Sequence, residues 1–203
     1  MGDYQYREHQ APAGAPLVFM FHGTGGDENQ FFDLAREQLP EAHLIAVRGD
    51  VSEHGSLRYF RRQAEGVYDM EDLARRAVRL AQFVRQQVAR VAPTGVGAFG
   101  YSNGANILAT MLFEQPDLVD AAALMHPLIP WAPAPQSQLK GKPILLTAGE
   151  QDGICDAAET QRLMDYFKTQ GSRIEVLWHP GGHEIAEQER LALAPFFARG
   201  LHP

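Results

Sequence analysis

An alternation constrains this chain more than any other feature. Six short apolar runs, Leu17 to His22, Leu44 to Val47, Val96 to Tyr101, Ala121 to Met125, Ile144 to Ala148 and Ile174 to Trp178, are separated by longer stretches of helical period. Each run is too short for an ordinary helix, is flanked by Gly, Pro or polar residues, and reads as a strand buried on both faces. Between them, Leu73, Ala77, Leu80, Val84, Val88 and Val91 recur at spacings of three and four, which predicts a helix over about 69–91. Asp69 is its expected N-cap and Pro93 its stop. Further helices are expected from near Asn103, from about Ala157 to Gln170, and from about Glu184 to Arg199, where Pro195 bends or shortens the last. Strands that alternate with helices imply parallel pairing through right-handed crossovers. The expectation is an α/β fold with a mostly parallel sheet of six or seven strands. Tyr4, Tyr6 and their neighbours add an antiparallel hairpin strand before the turn at Ala11 to Pro16. Arg48 to Gly66 and the proline-rich Pro127 to Lys140 read as long surface loops.

Composition removes several alternatives. The chain has 203 residues, 45% apolar and 21% charged, which fits one globular domain over 1–203. Its 25 acids against 18 bases argue against a nucleic-acid partner, which needs a dense basic patch. No apolar run approaches the roughly 20 residues that span a bilayer, so no membrane insertion is expected. Met1 to Gln10 is polar and lacks the apolar stretch of a leader. One cysteine, Cys155, excludes an internal disulfide framework and suits the cytoplasm.

The chemistry centres on Gly100-Tyr101-Ser102-Asn103-Gly104. The pattern is short, but it follows an apolar strand and opens a helix, the setting of a nucleophile elbow. Glycines flank the serine because strand and helix approach closely at so sharp a turn. A serine hydroxyl needs a base, and the base needs an orienting group. His183, in Pro180-Gly181-Gly182-His183 just past the last strand, is the candidate base, with His179 its nearest rival. Asp152, which follows the fifth parallel strand in Gly149-Glu150-Gln151-Asp152, is the candidate acid, with Glu150 and Asp156 as alternatives. The chain order Ser, Asp, His is that of α/β-hydrolases. Oxyanion donors are expected from the backbone N–H of Asn103 and, in His22-Gly23-Thr24-Gly25-Gly26-Asp27, from that of Thr24, with Gly25 second.

Together these residues resemble the serine α/β-hydrolase superfamily and, within it, the small cap-less phospholipase/carboxylesterase family that includes acyl-protein thioesterases. The chain is most similar there to bacterial hydrolases linked to quinone and hydroquinone stress. Phe21 to Glu28, Arg58 to Asp69, Gly100 to Asn106, Asp152 and Gly181-Gly182-His183 carry the likeness, and Arg58 to Asp69 is its most specific part. The resemblance implies a Ser102–His183–Asp152 triad that hydrolyses small carboxylic esters through an acyl-enzyme. It implies no metal or organic cofactor, no separate cap domain, and often a homodimer. Dienelactone hydrolases, a related branch, carry Cys where this chain has Ser102. Subgroup relatives often carry Pro at the position of Asp156.

His22, Phe60, Met125 and Trp131 are the candidate pocket residues, and local pairing is expected for Arg61 and Arg62. The competing functions are an acyl-thioesterase or lysophospholipase on the same triad, and a ligand-binding protein that keeps the fold without catalysis.

Overall fold

A computed structural model describes residues 4–201, and residues 1–3 and 202–203 lie outside that range. In chain order the elements are β1 (Tyr6–His9), β2 (Leu17–Phe21), α1 (Phe32–Gln38), β3 (His43–Val47), β4 (Val51–Glu53), β5 (Ser56–Arg58), β6 (Arg62–Ala64) and β7 (Val67–Tyr68). They continue with α2 (Met70–Val91), β8 (Val96–Tyr101), α3 (Asn103–Glu114), β9 (Ala121–Met125), β10 (Pro143–Gly149), α4 (Ala157–Thr169), β11 (Arg173–His179) and α5 (Glu187–Leu201).

Seven strands form one sheet in the order β1-β3-β2-β8-β9-β10-β11. All neighbours run parallel except β1, which pairs antiparallel with β3. The period of two along each strand sorts side chains to two cores. Leu17, Phe19 and Phe21 of β2 join Ile45 and Val47 of β3 beneath α2, α3 and α4. Val18 and Met20 join Leu44 and Ala46 in a second core, which Phe32 and Ala35 of α1 and Phe196 and Phe197 of α5 cover. Helices on both faces explain why the parallel runs are apolar throughout rather than alternating. The architecture is the α/β-hydrolase fold, and among the described residues no separate cap is evident.

Two local expectations are corrected, and one helix appears that the sequence did not show. The N-terminal strand does not form a hairpin with its successor. Both edges of β2 are occupied, by β3 and β8, so the free edge of β3 is the one open to β1. Arg48 to Gly66 is not a surface loop. It holds the small antiparallel hairpin β4–β5 and the first strand and turn of a second, β6–β7, and between them Tyr59 and Phe60 are fully buried. The first β–α connection contains α1, a helix of seven residues with only two buried side chains and hence little apolar periodicity to read.

The strand order reverses direction between β2 and β8. From β2 the chain moves outward to β3, then returns across the sheet to β8. The crevice at the carboxyl ends of these two strands is where ligands bind in open α/β sheets. It lies between the glycine-rich loop after Phe21 and the turn after Tyr101.

Candidate active site

The site begins with the turn at the end of β8. Ser102 takes φ 51° and ψ −115°, a conformation that L-residues with a Cβ rarely adopt. Three contacts hold it there. Its N–H donates to Met125 O at 2.9 Å, its carbonyl accepts the Asn106 N–H at 2.9 Å, and α3 starts immediately after it. The flanking glycines are steric necessities. A Cβ on Gly104 would lie 2.2 Å from Phe21 O, and one on Gly100 would lie 2.5 Å from Gly104 O.

Two long-range elements meet the hydroxyl. His183, in the loop between β11 and α5, has Nε2 2.9 Å from Ser102 Oγ. Its Nδ1 lies 2.7 Å from Asp152 Oδ2, which sits in the loop after β10. Tyr101 supports the imidazole by donating its hydroxyl to His183 O at 2.6 Å and laying its ring 5.3 Å from the His183 ring. Asp152 Oδ1 accepts the N–H groups of Ile154 and Cys155 at 2.8 and 2.9 Å. Burial alone raises its carboxyl's proton affinity. The Cys155 and Ile154 amides and the His126 and His183 imidazoles overcome that effect and hold its pKa at about 2. Asp152 is therefore an anion at any pH where a histidine base operates.

The rivals have other duties. Asp156 caps α4, accepting the Ala158 N–H at 2.6 Å, and Glu150 is exposed. His179 is buried with Nε2 3.3 Å from Glu189 Oε2.

The loop after β2 supplies the facing wall. The His22 N–H donates to the Tyr59 hydroxyl, Gly23 N–H to Gln30 Oε1, Gly25 N–H to Leu57 O and Gly26 N–H to Gly23 O. Among the described residues, this leaves Thr24 as the amide from 22 to 26 without an acceptor. The Asn103 N–H is also free for a ligand, because it opens α3 and a first-turn amide has no intrahelical acceptor. The Gly25 amide, the second choice from sequence, is occupied. Thr24 Oγ1 accepts from Arg58 Nη1 at 2.7 Å, which fixes the loop.

The cleft around Ser102 has a volume of about 250 Å³. Its walls are Thr24, Arg58, Arg62, Glu65, Tyr68 and Leu128, with Ile154 and Cys155 near Asp152. All four residues expected to form the pocket lie elsewhere. His22 is buried at the start of the loop after β2. Its Nδ1 meets Gly23 O at 2.7 Å and its Nε2 accepts the Gly49 N–H at 2.8 Å. Burial lowers its proton affinity and keeps it neutral for that pairing. Phe60 is fully buried against Tyr68. Met125 faces the opposite core, under α5. Trp131 packs on Phe113 and Tyr68 and lines two grooves away from Ser102. Phe60 and Met125 are fully buried because an apolar side chain gains more from the core than from a wet cleft, whereas His22 is held by its hydrogen bonds. Polar residues of the hairpin segment, Arg58 and Arg62, form the wall instead. Arg62 pairs with Glu53 and Glu65, while Arg61 pairs with Asp72, so local pairing holds for both.

This fold, with a strained serine at the switch point of a mostly parallel sheet, defines the class as an α/β-hydrolase. The chain belongs to the Dienelactone hydrolase family, whose model matches residues 3–193. It is 37% identical over 175 residues to a Bacillus subtilis (strain 168) protein described as "Putative hydrolase MhqD", covering 85% of this chain and 88% of that one. Among solved structures it is similar to the protein Atu2452 of unknown function from Agrobacterium tumefaciens str. C58, at 48% identity and TM-score 0.90 over 97% of both chains. It is also similar to the Bacillus cereus carboxylesterase, at 32% identity and TM-score 0.89, over 97% of this chain and 94% of that one. The protein is an esterase-type hydrolase. Among the described residues, no helix is long and apolar enough to cross a membrane.

Proposed function

We propose that the protein is a serine esterase that cleaves small carboxylic esters through an acyl-enzyme. The observation that carries this reading is the unbroken chain Ser102 Oγ–His183 Nε2–His183 Nδ1–Asp152 Oδ2, with links of 2.9 and 2.7 Å. His183 Nε2 takes the hydroxyl proton as Ser102 Oγ bonds to the ester carbonyl carbon. The carbonyl electron pair moves to oxygen, facing the Thr24 and Asn103 amides. Losing one such donor typically costs about 2.7–4 kcal/mol of transition-state stabilisation. The tetrahedral adduct then expels the alcohol, which takes the proton from His183 Nε2. Water, activated by the same nitrogen, attacks the acyl carbon and releases the acid with free Ser102. Asp152 keeps the Nδ1–H tautomer in place and stabilises the imidazolium.

The modest cleft favours short acyl groups over the long-chain thioester or lysophospholipid reading. Turnover of p-nitrophenyl esters of increasing chain length tests this, with acetate and butyrate expected to exceed palmitate. A fluorophosphonate probe should label Ser102. Folded wild-type protein that takes no label there refutes the triad and leaves the non-catalytic binding reading.

A further inference from the structure

Behind the catalytic carboxylate lies a second, fully buried imidazole that hydrolysis by the triad does not require. His126 follows β9 at φ 50°, a left-handed conformation uncommon for a residue with a Cβ. Its side chain, like those of Asp152 and Glu189, is 0% exposed. Nδ1 lies 2.8 Å from Asp152 Oδ2, the same oxygen that holds His183. Nε2 lies 3.0 Å from Glu189 Oε1 in the first turn of α5.

We propose that His126 is held as an imidazolium between Asp152 and Glu189, and that it is a positioning residue that weakens the pull of Asp152 on the His183 proton. This inference rests on the triad reading above.

The proton count follows from the partners. The Gly181 N–H donates to His179 Nδ1 at 3.1 Å, so the proton of neutral His179 sits on Nε2, which faces Glu189 Oε2 at 3.3 Å. The other Glu189 oxygen is left to His126. A neutral His126 with its proton on Nδ1 would aim a lone pair at that carboxylate from 3.0 Å. With its proton on Nε2 it would aim one at Asp152 from 2.8 Å. Only the doubly protonated ring meets an anion with an N–H at each end. Among the described residues, no lysine or arginine pairs with either carboxylate, so His126 is the cation that balances two buried negative charges. Burial opposes the charge, but Glu189 and Asp152 raise the proton affinity of His126 overall.

The other groups around the ring do not change this count. His179 Nε2 also lies 3.4 Å from His126 Nε2, so a neutral His126 with its proton on Nδ1 would gain one donor there while still turning its lone pair on Glu189 Oε1 at 3.0 Å. With both Nε2 atoms protonated, each faces its own Glu189 oxygen. Tyr101 of β8 lies edge-on at 5.8 Å, His183 at 5.2 Å and His179 at 5.3 Å between ring centres, and Cys155 Sγ meets the His126 carbonyl at 3.2 Å. Glu184, in the loop before α5, is a more distant anion that also favours the imidazolium. His126, His179 and Glu189 also have the composition of a metal site. However, a His179 that binds metal through Nε2 would need its proton on Nδ1, where the Gly181 N–H already points.

A cation on one side of Asp152 reduces how strongly that carboxylate stabilises protonated His183. The base then stays free at lower pH. Removing the cation also leaves Glu189 unbalanced, which acts in the same direction. In His126→Asn, the acid limb of the kcat/KM profile is expected to move up by about one pH unit, with kcat lowered and KM little changed. A purely structural role would lower activity evenly and leave the limb in place, which overturns the proposal. Nitrogen-15 NMR of wild-type histidines provides an independent arm. His126 should show two protonated ring nitrogens from pH 6 to 9, and a singly protonated ring at pH 7.5 overturns the imidazolium. If His126→Asn does not fold, Glu189→Gln is read by the same spectrum, where His126 should begin to titrate within that range. An unchanged His126 signal in that variant counts against the pairing. Failure of Ser102 labelling in wild-type protein would sink the triad while leaving the NMR result to stand by itself.

Discussion

Ser102 shows how much conformational cost one position carries. At φ 51° and ψ −115° a residue with a Cβ is strained by about 1–3 kcal/mol, and glycine is not. Ser102→Ala and Ser102→Gly both remove the hydroxyl, so comparing them isolates the backbone. Glycine's freer unfolded chain costs about 0.4–1 kcal/mol, less than the strain it relieves. Ser102→Gly is therefore expected to be about 1 kcal/mol more stable than Ser102→Ala in urea unfolding, and both should lose at least about 10⁴-fold in kcat/KM. A Ser102→Gly variant less stable than Ser102→Ala by about 0.4–1 kcal/mol, the chain-entropy cost alone, would show that the elbow carries no strain. Glu189 is the residue here that sequence could not reveal. In Glu187-Gln188-Glu189 it reads as a solvated acid favouring a helix N-terminus, yet it is completely buried against two histidines.

At the scale of elements, the elbow works because α3 docks with almost no clearance on the end of β2. Gly104→Ala would drive a Cβ into the Phe21 and His22 carbonyls, which are backbone and cannot rotate away. A loss of at least about 3 kcal/mol is expected in chemical denaturation, at the upper end of overpacking costs. Helix α2 depends on a cheaper device. The Asp69 side chain accepts the Asp72 N–H at 3.0 Å, and Asp69→Ala should cost about 1 kcal/mol with little change in esterase rate. The parallel strands were legible as unbroken apolar runs, and α2 because its apolar positions recur at three and four over 22 residues. The hairpins β4–β5 and β6–β7 were not. Their strands are two or three residues long, and the first turns at His54-Gly55, both at positive φ, rather than at the more familiar Asn-Gly. Tyr59 is fixed there by distant partners, its hydroxyl donating to Val47 O at 2.5 Å and its N–H to Asn103 Oδ1 at 2.7 Å.

At the scale of the molecule, stability should pass through a maximum with pH. Asp152 and Asp72 have lowered proton affinities despite burial. Asp152 gains from amides and imidazoles, and Asp72 from the Arg61 N–H and the arginines around it. A depressed carboxylate contributes stability that is present above its unfolded value and lost as pH falls through its folded one. For Asp152 that window runs from about 4 down to about 2. His126 has the opposite sign, because its proton affinity is raised on folding. Its contribution is complete below its ordinary value of about 6.5 and lost as pH rises through the higher folded one. Urea midpoints at pH 3, 6 and 9 should therefore be highest at pH 6. A midpoint that still rises from pH 6 to 9 would show that His126 is not charged in the folded protein.

The sequence alone determined the alternation of strands and helices, the strained serine with its glycines, and the identity of the acid and base candidates. These are local matters: burial on both faces makes a strand uniformly apolar, and a tight turn admits only certain residues. Tertiary structure alone decided which side chains meet across the sheet. It brought Ser102, Asp152 and His183 together over separations of 31 and 81 residues. It moved Phe60 and Met125 into the core and put Arg58 and Arg62 on the cleft wall. It also set His126 between two carboxylates. Such meetings depend on strand order and helix docking, and no short window of sequence encodes either.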